Sequence, residues 1–164
     1  MKRQKWSVWV LLALVIMLLL APGSVAARAT WIDCTGTESP PTVLDEGVWT
    51  FPGGNIHVRD RISQYEEVSP VCPQLAGITT STMNASWNAN FVGPMWGTGL
   101  TTTDYGGGGV WQGHWQGALG ADGSCTYQAV MQGVSGSVTG MKAMLTADCN
   151  TGTWTATLLD PHGN

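Results

Sequence analysis

The chain has 164 residues, of which 43% are hydrophobic and 11% are charged, with nine tryptophans and 22 glycines. This length and composition suit one domain with one hydrophobic core and exclude a disordered chain. Four of the seven Lys and Arg precede Thr30, so the remainder carries three of them against eleven Asp and Glu, a net charge of −8. A domain this acidic lacks a basic surface for phosphates, so no nucleic-acid partner is expected, and anionic membrane surfaces repel it.

The first 29 residues have the layout of a secretory signal peptide. Three basic residues among the first five precede an apolar run over residues 6–21, a Pro-Gly helix breaker and a small-residue tail. We therefore expect a signal over residues 1–29, cleaved between Ala26 and Thr30, and a secreted single domain over residues 30–164, extracellular or periplasmic. A retained signal anchor is the alternative, but the apolar run is shorter than the ~20 residues of a membrane span. After cleavage we expect no stable span.

Alternation of apolar and polar residues, the period of a half-buried strand, dominates the rest of the chain. In chain order it predicts an edge strand near residues 30–33, a short strand over 47–51, a long or bulged strand over 55–68, and strands over 81–91, 95–103, 110–119, 125–132, 141–149 and 153–158. Short turns between successive strands favour antiparallel neighbours. We therefore predict an all-β fold, a closed antiparallel up-and-down barrel of about eight strands. A β-sandwich is the alternative.

The four cysteines all follow the signal, and an even count in a secreted chain predicts two disulfides. Cys125 and Cys149 fall on the apolar faces of two strands that flank one connection, so their side chains can approach to bonding distance. Cys34 then pairs with Cys72. A four-thiolate metal site is the alternative, but the chain has no C-x-x-C pair. We expect neither a metal nor another cofactor.

One acidic residue is a candidate for a site inside the barrel. If Ile56, Val58 and Ile62 face inward, the alternation turns Asp60 inward too, and a buried carboxylate needs a partner or a shifted pKa. Asp60 is therefore a candidate ligand-binding residue. The alternative is that Asp60 lies at the rim or at a bulge and pairs with an arginine.

Three tryptophans are the apolar part of the same candidate site. Trp87, Trp111 and Trp115 fall on inner faces by alternation, next to Ala and Gly residues that leave space beside the rings. The alternative is that the rings pack into those small residues and fill the interior. His114 alternates with these tryptophans and is expected on the outer surface.

The stretch GVWQGHWQGALG from Gly109, followed by YQAVMQG from Tyr127 and GSVTGM from Gly136, resembles the small secreted barrels related to allene oxide cyclase and dirigent proteins. Those families also have G-x-W-x-G strands followed by a G-x-G strand and a closing hairpin. The resemblance implies an eight-stranded barrel with an apolar cavity. It carries over no catalytic residue.

The sequence contains no zinc-protease, serine-hydrolase or P-loop motif, which favours a protein that is not an enzyme. Two functional hypotheses follow. The first is a secreted barrel that binds a small apolar or amphipathic molecule in its interior. The second is a non-catalytic structural or interaction module of the cell envelope or extracellular space. An interior cavity would favour the first, and an interior filled by tryptophan would favour the second.

Overall fold

The structure is a computed structural model that describes residues 28–163, where every regular element is a β-strand or a single-turn 3₁₀ helix. The predicted signal lies outside the described residues apart from its last two positions. None of the helices in the described range has the length and apolarity that crossing a bilayer requires. The strands are β1 (Thr30–Glu38), β2 (Thr42–Asp45), β3 (Val48–Thr50), β4 (Ile56–Val68), β5 (Gly77–Trp87), β6 (Gly93–Thr103), β7 (Gly109–Leu119), β8 (Cys125–Gly136), β9 (Lys142–Asp148) and β10 (Thr153–Asp160).

All ten strands belong to one antiparallel sheet with the order β1-β10-β9-β8-β7-β6-β5-β4-β2, and β3 also pairs with β4. From β4 to β10, each strand pairs with the next strand in the chain, as short turns require. Because β1 pairs with β10 on one side and with β4 on the other, eight strands form a ring. The prediction of an all-β, antiparallel, up-and-down fold is confirmed, and the ring is barrel-like.

The seam of the ring lies between β4 and the segment that contains β1, β2 and β3. At the end of β1, Thr37 pairs with Val68 and Glu38 pairs with Glu67. The chain then continues along β4, since the Ser39 amide donates to the Glu66 carbonyl at 2.9 Å and β2 and β3 pair with earlier residues of β4. One interrupted segment therefore follows β4 along most of its length.

A β-bulge in β4 changes which residues face the interior. Val58 pairs with Ala85 and Arg61 pairs with Met83, so two residues of β4 oppose one residue of β5. Asp60, in the bulge, has a φ of 57° and an exposed side chain. The prediction that Asp60 and Ile62 share the inner face of Val58 is wrong, because the extra residue inverts the alternation.

Both predicted disulfides are confirmed, and one of them anchors the loop that follows β4. Cys125 pairs with Cys149, and Cys34 pairs with Cys72. The loop that contains Cys72 follows β4 and includes a 3₁₀ turn whose Leu75 is buried in the main core cluster.

Candidate functional site

The ring encloses a cavity of about 520 Å³. At its inner end the cavity reaches Leu75 and Trp111, which are both buried. At its other end it reaches Pro40, Pro41 and Asn150, which are exposed. The cavity therefore opens where the β1–β2 connection meets the turn after β9. Its volume lies within the ~300–1,000 Å³ range of small-molecule sites.

The walls of the cavity are mainly apolar because the inward-facing residues of the strands line them. Apolar and polar residues alternate along each strand, and the apolar ones face inward. The apolar lining includes Met83, Met95, Trp111, Trp115, Met131, Leu145 and Trp154. The three indoles are held by hydrogen bonds: Trp115 Nε1 donates to Ser81 Oγ at 2.9 Å, Trp111 Nε1 donates to the Gln74 carbonyl at 2.7 Å, and Trp154 Nε1 donates to a carboxyl group described below. Fixed rings of this kind leave a preformed space.

One corner of the cavity is polar and contains two carboxyl groups and two phenols. Glu38 and Glu67 lie opposite each other on β1 and β4, and both line the cavity with Tyr65 and Tyr127. The Tyr127 hydroxyl donates to Glu38 Oε2 at 2.6 Å. The indole of Trp154 donates to Glu67 Oε2 through Nε1 at 2.9 Å. We call these four residues, Glu38, Tyr65, Glu67 and Tyr127, the acidic corner.

Burial in the acidic corner perturbs the acid–base properties of its members. Burial and, to a smaller extent, the nearby Glu38 charge raise the pKa of Glu67 to about 7, against hydrogen bonds with Trp154 and Thr79 that lower it. Burial also raises the pKa of Glu38, against the hydrogen bond from Tyr127. The pKa of Tyr127 is raised by burial and by the Glu38 charge. At neutral pH, Glu67 therefore exists in both protonation states and can donate or accept a hydrogen bond.

Two of the four predicted site residues lie together in this cavity, and two lie elsewhere. Trp111 and Trp115 line it. Trp87 is buried outside the lining, where its ring lies 6.3 Å from that of Trp49. Asp60 does not line the cavity, and its backbone amide donates to Asn84 Oδ1 at 3.3 Å.

Sequence reasoning missed the acidic corner as a site. Alternation does place Tyr127 on the inner face, so this residue could have been found. Tyr65 and Glu67 follow the bulge, whose inverted alternation a simple period does not reveal. Glu38 belongs to a segment with weak alternation, and only the pairing of β1 with β4 places it opposite Glu67.

His114 is exposed on the outer face of β7, as expected from its position between inward tryptophans. Among residues 28–163, no three His, Cys, Asp or Glu side chains are grouped so as to hold a metal ion. Comparisons with family models, curated proteins and solved structures give no match to this chain.

Proposed function

We propose that this protein is a secreted, closed β-barrel that binds a small amphipathic molecule in its interior. The observation that carries the proposal is the cavity of about 520 Å³, which has apolar walls and one polar corner. Sites for small molecules combine these features, since apolar surface supplies affinity and a few polar groups orient the ligand. If the tryptophans filled the interior, a structural or interaction role would be the better interpretation.

Closure of the barrel is part of this proposal. Its support is the eight-stranded ring and the continuation of the seam through β2 and β3 along β4. Closure would remove exposed strand edges around the binding space. The resemblance to the allene oxide cyclase and dirigent barrels leads to the same proposed architecture.

Secretion is supported by the signal-like start and by two disulfides, which are consistent with an extracellular or periplasmic location. N-terminal sequencing of exported protein tests it. We expect the first residue to lie between Ala26 and Thr30. Recovery of chains that begin at Met1 would refute cleavage.

Binding can be tested with N-phenyl-1-naphthylamine, a neutral apolar dye whose fluorescence rises in apolar surroundings. We expect a saturable rise with the wild-type protein. Ala129 lines the cavity, so Ala129→Trp should occupy part of the space and weaken dye binding by at least about tenfold. Val130, the next residue of β8, is 63% exposed, so Val130→Trp is the matched control and should bind the dye like wild type.

Near-UV circular dichroism should show that both variants are folded. A wild-type protein that does not bind the dye would refute the binding proposal and leave the structural or interaction role. Equal binding by wild type and both variants would place the dye outside the cavity and would also refute the proposal.

A further inference from the structure

The acidic corner brings two carboxyl groups close together inside an apolar space. Glu38 and Glu67 occupy directly opposite positions across the β1–β4 pairing, where Cβ atoms are typically ~4.5–5.5 Å apart. Like charges at such positions repel each other, and burial strengthens the repulsion. The arrangement is therefore costly to the folded protein whenever both groups are ionised.

Within residues 28–163, no basic side chain shares the cavity with this pair. The residues that line the cavity in the described part of the chain include no Lys, Arg or His. Burial raises the pKa of Tyr65, and the charge of Arg61 opposes this only in part. Arg61 forms its ion pair with Glu46 at 3.3 Å and does not line the cavity. Two carboxyl groups of one site thus lack a counter-charge that a bound molecule could provide.

The remaining contacts of the corner suit a positively charged group. The hydrogen bonds shorter than 3 Å from Tyr127 and Trp154 engage only Oε2 of each Glu, and a carboxylate has further acceptor sites. The rings of Trp115, Tyr127 and Trp154 border the same space, and aromatic faces attract ammonium groups. An anionic ligand such as a fatty acid would instead meet two like charges.

We propose that the ligand is an amphipathic amine, whose protonated nitrogen binds between Glu38 and Glu67 and whose apolar body fills the cavity. This inference rests on the proposed function and adds the ligand class to it. The cavity accounts for the apolar body, and the uncompensated carboxyl pair accounts for the amine.

Three decyl compounds that differ only in their polar group test the inference. Decylamine, decanol and decanoate compete with N-phenyl-1-naphthylamine at pH 8, above the pKa of about 7 of Glu67. We expect decylamine to bind at least about tenfold more tightly than decanol, since charge-assisted hydrogen bonds are the stronger ones. Decanoate should bind more weakly than decanol.

Variants then assign this preference to the acidic corner. In the double variant Glu38→Gln and Glu67→Gln, the affinity ratio of decylamine to decanol should fall to about one. The matched control is Glu66→Gln, which removes one charge from an exposed neighbour and should keep the wild-type ratio. This control separates the corner from general attraction of amines to an acidic protein.

A pH series on the wild-type protein gives a second measurement if the double variant does not fold. The titratable groups that face Glu67 are Glu38 on β1, Tyr65 on β4 and Tyr127 on β8, and both tyrosines have raised pKa values and stay neutral. Lowering the pH from 8 to 5 protonates Glu67 while decylamine stays charged, so the ratio should decrease.

The outcomes separate this inference from the proposed function. Dye binding without preference for decylamine over decanol overturns the amine inference and leaves the binding proposal intact. A preference that persists in the double variant, or that does not change with pH, also overturns it. Absence of any binding by the dye and all three decyl compounds overturns both.

Discussion

Replacing Glu67 with Gln should make the protein more stable at pH 8 and change its stability much less at pH 5. The pKa of Glu67 is about 7 in the folded protein and near 4.5 when the group is free in solution. The folded state therefore binds this proton more tightly than the unfolded state. Stability contributed by the bound proton is fully present below pH 4.5 and is lost as the pH rises toward 7.

The size of the effect follows from the two pKa values. Each unit of pKa difference corresponds to about 1.4 kcal/mol, so full ionisation of Glu67 costs the folded state at most about 3 kcal/mol. Water at the cavity mouth screens part of this cost, and we expect about 2 kcal/mol at pH 8. Gln has no charge to desolvate, and its side-chain oxygen can still accept the hydrogen bond from Trp154.

Urea unfolding of both proteins at pH 5 and pH 8 measures the difference. As the pH rises from 5 to 8, the free energy of unfolding should decrease for wild type and change less for Glu67→Gln. The difference between the two proteins should therefore be larger at pH 8 than at pH 5. The control Glu66→Gln alters an exposed neighbour and should follow the wild-type curve. If Glu67→Gln destabilises the protein equally at both pH values, the carboxyl group is not strained by burial and the reasoning is wrong.

Three other substitutions test the disulfide, the β-bulge and the strand packing of the sheet that positions the acidic corner. Replacing Cys125 and Cys149 with Ala opens a loop with a sequence separation of 24 residues, and urea unfolding should show a loss of about 3 kcal/mol. Asp60→Gly relieves a left-handed backbone at φ 57°, and thermal unfolding should show a gain of about 1 kcal/mol. Gly97→Ala places a Cβ in steric conflict with the Thr82 carbonyl oxygen of the neighbouring strand, and the same assay should show a loss of about 2 kcal/mol.

The strands of the C-terminal half could be predicted from the sequence because their order is local. From β5 to β10, each strand pairs with its chain neighbour through a short turn, and the alternation marks the inner face. The same regularity places Cys125 and Cys149 on the inner side of nearby strands. Their disulfide could therefore be predicted from the alternation together with the pairing of the two strands that flank one connection.

The start of the chain was harder to interpret because its contacts are not local. β1 pairs with β10 at the far end of the sequence, and its last residues pair with β4. No local pattern indicates that Glu38 lies opposite Glu67, since this depends on how the ring is joined. The acidic corner is therefore a product of topology rather than of a motif.

The bulge in β4 connects the wrong prediction to the missed site. Without the extra residue at Asp60, strict alternation from Val58 would send Asp60 and Ile62 inward and Glu67 outward. With it, Asp60 is exposed, while Ser63 is buried and Tyr65 and Glu67 line the cavity. The carboxyl group predicted to face inward, Asp60, is therefore not the one that lines the cavity, because the inverted alternation turns Glu67 inward instead. The left-handed conformation of a non-glycine residue costs of order 1–3 kcal/mol, and the surrounding structure maintains it. The structural consequence of the bulge is that the two glutamates of the acidic corner face each other across the seam of the ring.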